Sequence, residues 1–118
     1  MIMKKTGFAL GLIASIAFAG STLAADKSVT GTLEDSFCFV TMGAHGADHK
    51  KCATECAKKG TPVALVEKGT NNIYVLLPPK NDQALSDDVL SKMEDEVTVA
   101  GDNYLKGGVN YLTVKSVK

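Results

Sequence analysis

The chain is predicted to be mainly β with short helices, and three observations carry that expectation. Five runs have strand patterning and are separated by turn residues. Two helix-like runs stand after the first strand and between the third and fourth. With the first helix set aside, three strands, a helix and two strands give the element order of a small Greek-key barrel. The expected architecture is therefore a five-stranded OB-like antiparallel barrel. A Cys/His-bearing helix is inserted after strand 1, and a second short helix lies between strands 3 and 4. Closure removes exposed sheet edges, which matters for a short chain. An open antiparallel α+β sheet of the same elements is the competitor.

The first 24 residues stand apart. Lys4 and Lys5 precede an apolar, small-residue run from Gly7 to Gly20. Ser21-Thr22-Leu23-Ala24-Ala25 then offers small residues for cleavage after Ala24 or Ala25. This is the order of a secretory signal peptide. Its apolar run is shorter than the roughly 20 residues that span hydrocarbon, so no membrane span is expected once the signal is removed. The Lys-Lys start and Ala-rich core have a bacterial character. The expected location is periplasmic or secreted, with residues 25–118 as a single OB-like domain.

The first strand run is Val29 to Phe39. Val29, Leu33 and Phe37 share one parity, with Gly31 between them, and Cys38 has the opposite parity. Glu34 and Asp35 interrupt the pattern and suggest a bend. Thr41 to Ala47 reads as a loop. Asp48 is a suitable N-cap for a helix over 49–59. Lys58 and Lys59 suit its last turn, Gly60 its C′ position, and Pro62 blocks continuation. Pro62 to Glu67 and Ile73 to Leu77 form a hairpin about the turn Gly69-Thr70-Asn71-Asn72. Ile73 to Leu77 is apolar throughout, so it is expected to be covered on both faces. Ser86 caps a helix to about Met93, with Leu85 and Leu90 at the positions of a hydrophobic staple. Glu96 to Ala100 and Val109 to Val117 complete the strands, with Gly107-Gly108 as a turn.

Composition narrows the partners. Without Lys4 and Lys5, eleven lysines face thirteen carboxylates, and the chain has no arginine. Nucleic-acid surfaces depend on arginine forks and basic patches, so nucleic acid is not an expected partner. There is no Ser/His/Asp set, phosphate-cradling loop or usefully spaced carboxylate pair, so no enzyme is expected. Glu34 and Asp35 are set aside as an acid/base pair because neighbours on a strand face opposite sides. Asp87, Asp88, Glu94, Asp95 and Glu96 read as caps and a solvated face.

Both histidines and all three cysteines fall within one segment: Cys38, His45, His49, Cys52 and Cys56, with Met42 among them. His49, Cys52 and Cys56 are spaced three and four apart, which places them on one helical stripe. His49 and Cys56 would then lie about 10.5 Å apart along the axis, a stretch for one metal. The preferred ligand set is Cys38, Cys52, Cys56 and one imidazole, with His45 swinging in more easily than His49. Such a set suits tetrahedral zinc, and thiolates with Met42 nearby suit copper(I). Ala57 after Cys56 excludes a c-type haem attachment.

Two other readings compete. A disulfide from Cys38 to Cys52 or Cys56 would tether the inserted helix, stabilising by about 3 kcal/mol, and an oxidising compartment favours it. Alternatively, Lys50 and Lys51 beside Cys52 at a helix start would suit a redox-active thiol.

The frame Val29-Thr30-Gly31-Thr32-Leu33-Glu34-Asp35, Cys38, Cys52-x3-Cys56 and Gly60-x-Pro62-Val63-Ala64-Leu65-Val66 resembles small exported bacterial proteins with OB-like domains of unassigned activity. The resemblance spans most of the mature chain and implies the fold, not a chemistry. The resulting expectation is an exported OB-like binding module that holds zinc or copper through its Cys/His cluster. A small ligand or a protein is the other kind of partner.

Overall fold

A computed structural model describes residues 24–118. The signal peptide read at residues 1–24 lies, apart from Ala24, outside the described residues. Among the described residues, no helix is long and apolar enough to cross a membrane.

Strands β1 (Ala25–Asp35), β2 (Val63–Glu67), β3 (Ile73–Leu77), β4 (Glu96–Lys106) and β5 (Val109–Thr113) form a closed barrel. A two-residue β6 (Ser116–Val117) is added along β4. The β1–β2 connection holds α1 (Ser36–Met42), a 3₁₀ turn (Ala47–His49) and α2 (Lys50–Lys58), and α3 (Asp87–Leu90) lies between β3 and β4.

Closure depends on β1 serving two partners. Residues 25–32 pair with β4 and residues 31–35 with β2. The β2–β3 and β4–β5 hairpins are antiparallel, and β3 closes against β5 in parallel. The expectation of a wholly antiparallel barrel is corrected here. A ring of five strands cannot alternate direction all the way round, so one neighbouring pair must run parallel. Gly31 sits where β1 passes from one partner to the other, and a Cβ there would lie 2.1 Å from the Val66 carbonyl oxygen.

The interior is built from alternate strand residues, as half-buried strands require. Val29, Leu33, Val63, Leu65, Tyr74, Leu76, Val97, Val99 and Leu112 all point inward. Each fully buried large side chain stabilises by about 1.5–3 kcal/mol. Ala53 and Ala57 of α2, with Val89, Leu90 and Met93, join the same core. The small alanines let α2 lie close against β1 and α3.

β3 is not covered on both faces. Tyr74 and Leu76 are buried while Ile73 and Leu77 remain partly exposed, because a barrel strand has only one interior side. Other boundaries also move. β1 stops at Asp35, β4 continues to Lys106, and the last strand breaks after Thr113. α3 ends at Leu90, yet Met93 beyond it is still fully buried.

Several local readings match the structure. Ser86 Oγ accepts a hydrogen bond from Val89 N at 3.4 Å. Gly60 has φ 106°, and Gly60 N and Thr61 N donate to Ala57 O and Cys56 O. These two bonds form a Schellman stop to α2. Gly107 and Gly108 both have positive φ, as a two-residue I′ hairpin turn requires.

Candidate metal centre

The site begins where β1 ends. Asp35 Oδ1 accepts from Phe37 N at 2.9 Å and Cys38 N at 3.3 Å. The aspartate thereby caps α1 and converts strand into helix. Gly43, at φ 64°, ends that helix in the left-handed conformation. Cys38 is thus on a helix and not at a strand end, and its side chain is buried. A rule of strand parity does not apply past Asp35. Glu34 and Asp35, the last two residues of β1, are both buried.

The second part comes from the 3₁₀ turn. His49 precedes α2 proper, and its Nε2 is buried. Asp35, Cys38 and His49 place one ligand atom each within 4.8 Å of one another. The imidazole in this group is His49, while His45 is exposed in the preceding loop. The sequence expectation that His45 reaches more easily assumed that His49 belonged to a regular helix. The tighter turn redirects it.

Cys52 is exposed and Cys56 half-buried on α2. Both lie near enough to act on Cys38. Burial, then a hydrogen bond to Asp35, then the charges of Asp35, Cys52 and Cys56 push the Cys38 thiol up to about 11. Burial also raises Cys56, with further contributions from hydrogen bonds to Asp35 and Cys52. None of the three cysteines is bridged, in contrast to the tethering disulfide considered from sequence. Met42 is 65% exposed on the outer face of α1, beside the likewise exposed Phe37 and Val40.

A carboxyl pair adjoins the group and was not recognised in the sequence. Glu34 is only 4% exposed. Burial first, then hydrogen bonding with Glu94 and the charges of Glu94 and Asp35, push its carboxyl up to about 8. Glu34 is therefore protonated at neutral pH and can donate to Glu94. Glu94 is not part of a freely solvated acidic face: its Oε2 accepts from Gly46 N at 2.9 Å. Glu34 Oε2, Glu94 Oε1 and His49 Nε2 are buried without a protein partner. An unsatisfied buried polar atom costs about 1–3 kcal/mol, so three together mark a region built for polar chemistry.

The segment Glu94–Asp95 links the two parts. Glu94 N donates to Leu33 O at 2.7 Å, and Leu33 N donates to Asp95 O at 3.3 Å. Lys50 Nζ meets Asp95 Oδ2 at 2.8 Å. The end of β1 and the His49 turn are thus registered on one short stretch before β4. Glu94 itself has φ 67°, which costs a non-glycine residue about 1–2 kcal/mol.

An aspartate immediately before Ser-Phe-Cys is a cap signal that could have revealed Asp35 and the helical position of Cys38. The partnership of Glu34 with Glu94 has no comparable local signal, because the two are brought together only by the fold. Comparison with known proteins finds no matching protein-family model, no matching curated protein and no matching solved structure.

Proposed function

We propose that this chain is an exported OB-like binding module that holds a transition metal, zinc or copper(I), at the junction of β1, α1 and α2. The carrying observation is the convergence of Asp35, Cys38 and His49 ligand atoms within 4.8 Å. Carboxylate, thiolate and imidazole are all zinc ligands. Cys56 and Cys52 on α2 lie close enough to act on the Cys38 thiol and are the nearest candidates for a fourth donor, and soft thiolates would favour copper(I). His45 remains outside the set.

Metal binding requires Cys38 to surrender its proton, because the thiolate is the ligand. A cation replaces that proton and offsets the burial and the neighbouring negative charge that raise the thiol. A redox role is the less favoured reading. Reactive cysteines have lowered pKa values, whereas burial and Asp35 raise Cys38.

The test is a thiol count and elemental analysis on native protein. Rapid alkylation under non-reducing conditions followed by intact mass should find three thiols, with about one equivalent of zinc or copper. The metal should be lost in Cys38→Ala and His49→Ala and retained in His45→Ala. One blocked cysteine pair and no metal would instead support a structural, disulfide-stapled domain.

A further inference from the structure

Glu94 occupies a backbone conformation that suits glycine, at φ 67°. Non-glycine residues persist there when the surrounding structure gains from the side chain. Besides facing Glu34, the Glu94 side chain holds the loop before His49. Glu94 Oε2 accepts the Gly46 N–H at 2.9 Å, and Gly46 O in turn accepts the His49 N–H at 2.9 Å. Four residues on from Gly46, Lys50 meets Asp95 at 2.8 Å. The turn bearing His49 is therefore clamped at both ends to residues 94 and 95. The same two residues exchange backbone hydrogen bonds with Leu33, just before Asp35.

We propose that Glu94 is a positioning residue that holds the His49 turn against Asp35 and Cys38, an inference that rests on the metal reading above. The carboxylate acts through the Gly46 amide and not as a ligand. Ligands held by such outer partners typically lose about 10–100-fold in metal affinity when the partner is removed.

The key variant is Glu94→Gly, which adopts positive φ freely and so preserves the fold while deleting the carboxylate. Glu94→Gln keeps an acceptor for the Gly46 amide without the charge. Two readouts are taken on each full-length protein. Amide exchange of Gly46 and the His49 ring NMR signals are measured without metal, and Co²⁺ is then titrated with its thiolate charge-transfer band as the signal.

Glu94→Gly should expose the Gly46 amide, broaden or shift the His49 ring signals and weaken Co²⁺ binding by about 10–100-fold. Glu94→Gln, which retains the hydrogen bond, should lose less than the roughly 10-fold that marks removal of an outer partner. Unchanged Co²⁺ affinity in Glu94→Gly, despite a freed Gly46 amide, would overturn the positioning role and leave the metal reading standing. Failure of Glu94→Gln to rescue would overturn it too, by assigning the effect to charge or ligation. If wild type itself gives no thiolate–Co²⁺ band, the metal reading fails and the proposal falls with it, whatever the Gly46 amide does.

Discussion

Replacing Gly101 by Ala would put a methyl carbon 1.5 Å from the Thr113 carbonyl oxygen and 2.7 Å from its carbonyl carbon. Both are backbone atoms, so no rotamer change relieves the clash. β4 must instead move away from the chain leaving β5. That movement works against two hydrogen bonds flanking the glycine: Asp102 N to Thr113 Oγ1 at 3.1 Å and Lys115 N to Ala100 O at 2.8 Å. Losing both removes about 1–3 kcal/mol, and overpacking strain adds about 1–3 kcal/mol. The sum, about 2–6 kcal/mol, is a large part of the roughly 5–14 kcal/mol available to a domain of this size. Urea unfolding at 25 °C, followed by far-UV circular dichroism, is the assay. With slopes of about 1–3 kcal/mol/M, the midpoint should fall by at least about 0.7 M. Gly31→Ala, whose Cβ would meet Val66 O at 2.1 Å, should behave similarly. A Gly101→Ala midpoint within about 0.3 M of wild type, under one kcal/mol at such slopes, would refute the claim that barrel closure depends on this approach.

Glu34→Gln tests the buried carboxyl in metal-free protein. Its pKa is raised from 4.5 to about 8, so the native state keeps a proton that the unfolded chain has lost. That contribution is whole below pH 4.5 and disappears as pH rises through about 8, with a slope of up to about 1.4 kcal/mol per pH unit. Urea stability of wild type should therefore decline more between pH 5 and 8 than that of Glu34→Gln; parallel curves would contradict the assignment. Asp35→Ala removes the α1 cap at a cost of about 0.5–2 kcal/mol and also frees the Cys38 thiol from a neighbouring carboxylate. Iodoacetamide should then modify Cys38 faster than in wild type, and an unchanged rate would count against the Asp35–Cys38 contact. Leu33→Ala, at a fully buried position, should destabilise by about 2–5 kcal/mol in the same urea assay. A loss under about 1 kcal/mol, well below the usual cavity cost, would show that β1 does not line the core.

Much of the fold was legible because its signals are local. Ser86, Gly60 and Gly107-Gly108 announce a cap, a stop and a hairpin by their own conformational preferences. Alternation in β1 and β2 marks the buried faces, and the element order points to a barrel. The uniform apolar run of β3 misled, because composition does not tell whether a strand has one interior side or two. From sequence, β1 is placed four residues too far along the chain, Val29 to Phe39 against Ala25–Asp35, since Phe37 keeps the strand parity while Asp35 is already capping a helix.

For the site, the sequence alone determined that every cysteine and histidine is carried by one stretch ending at Cys56. Tertiary structure decided which of them share space and with which carboxylates. His49 lies beside Asp35 and Cys38 while its turn is docked on Glu94 and Asp95, more than forty residues further along. Short-range preferences set caps and turns, but a contact across that separation exists only once β4 has paired with β1 and brought its leading residues to the end of that strand.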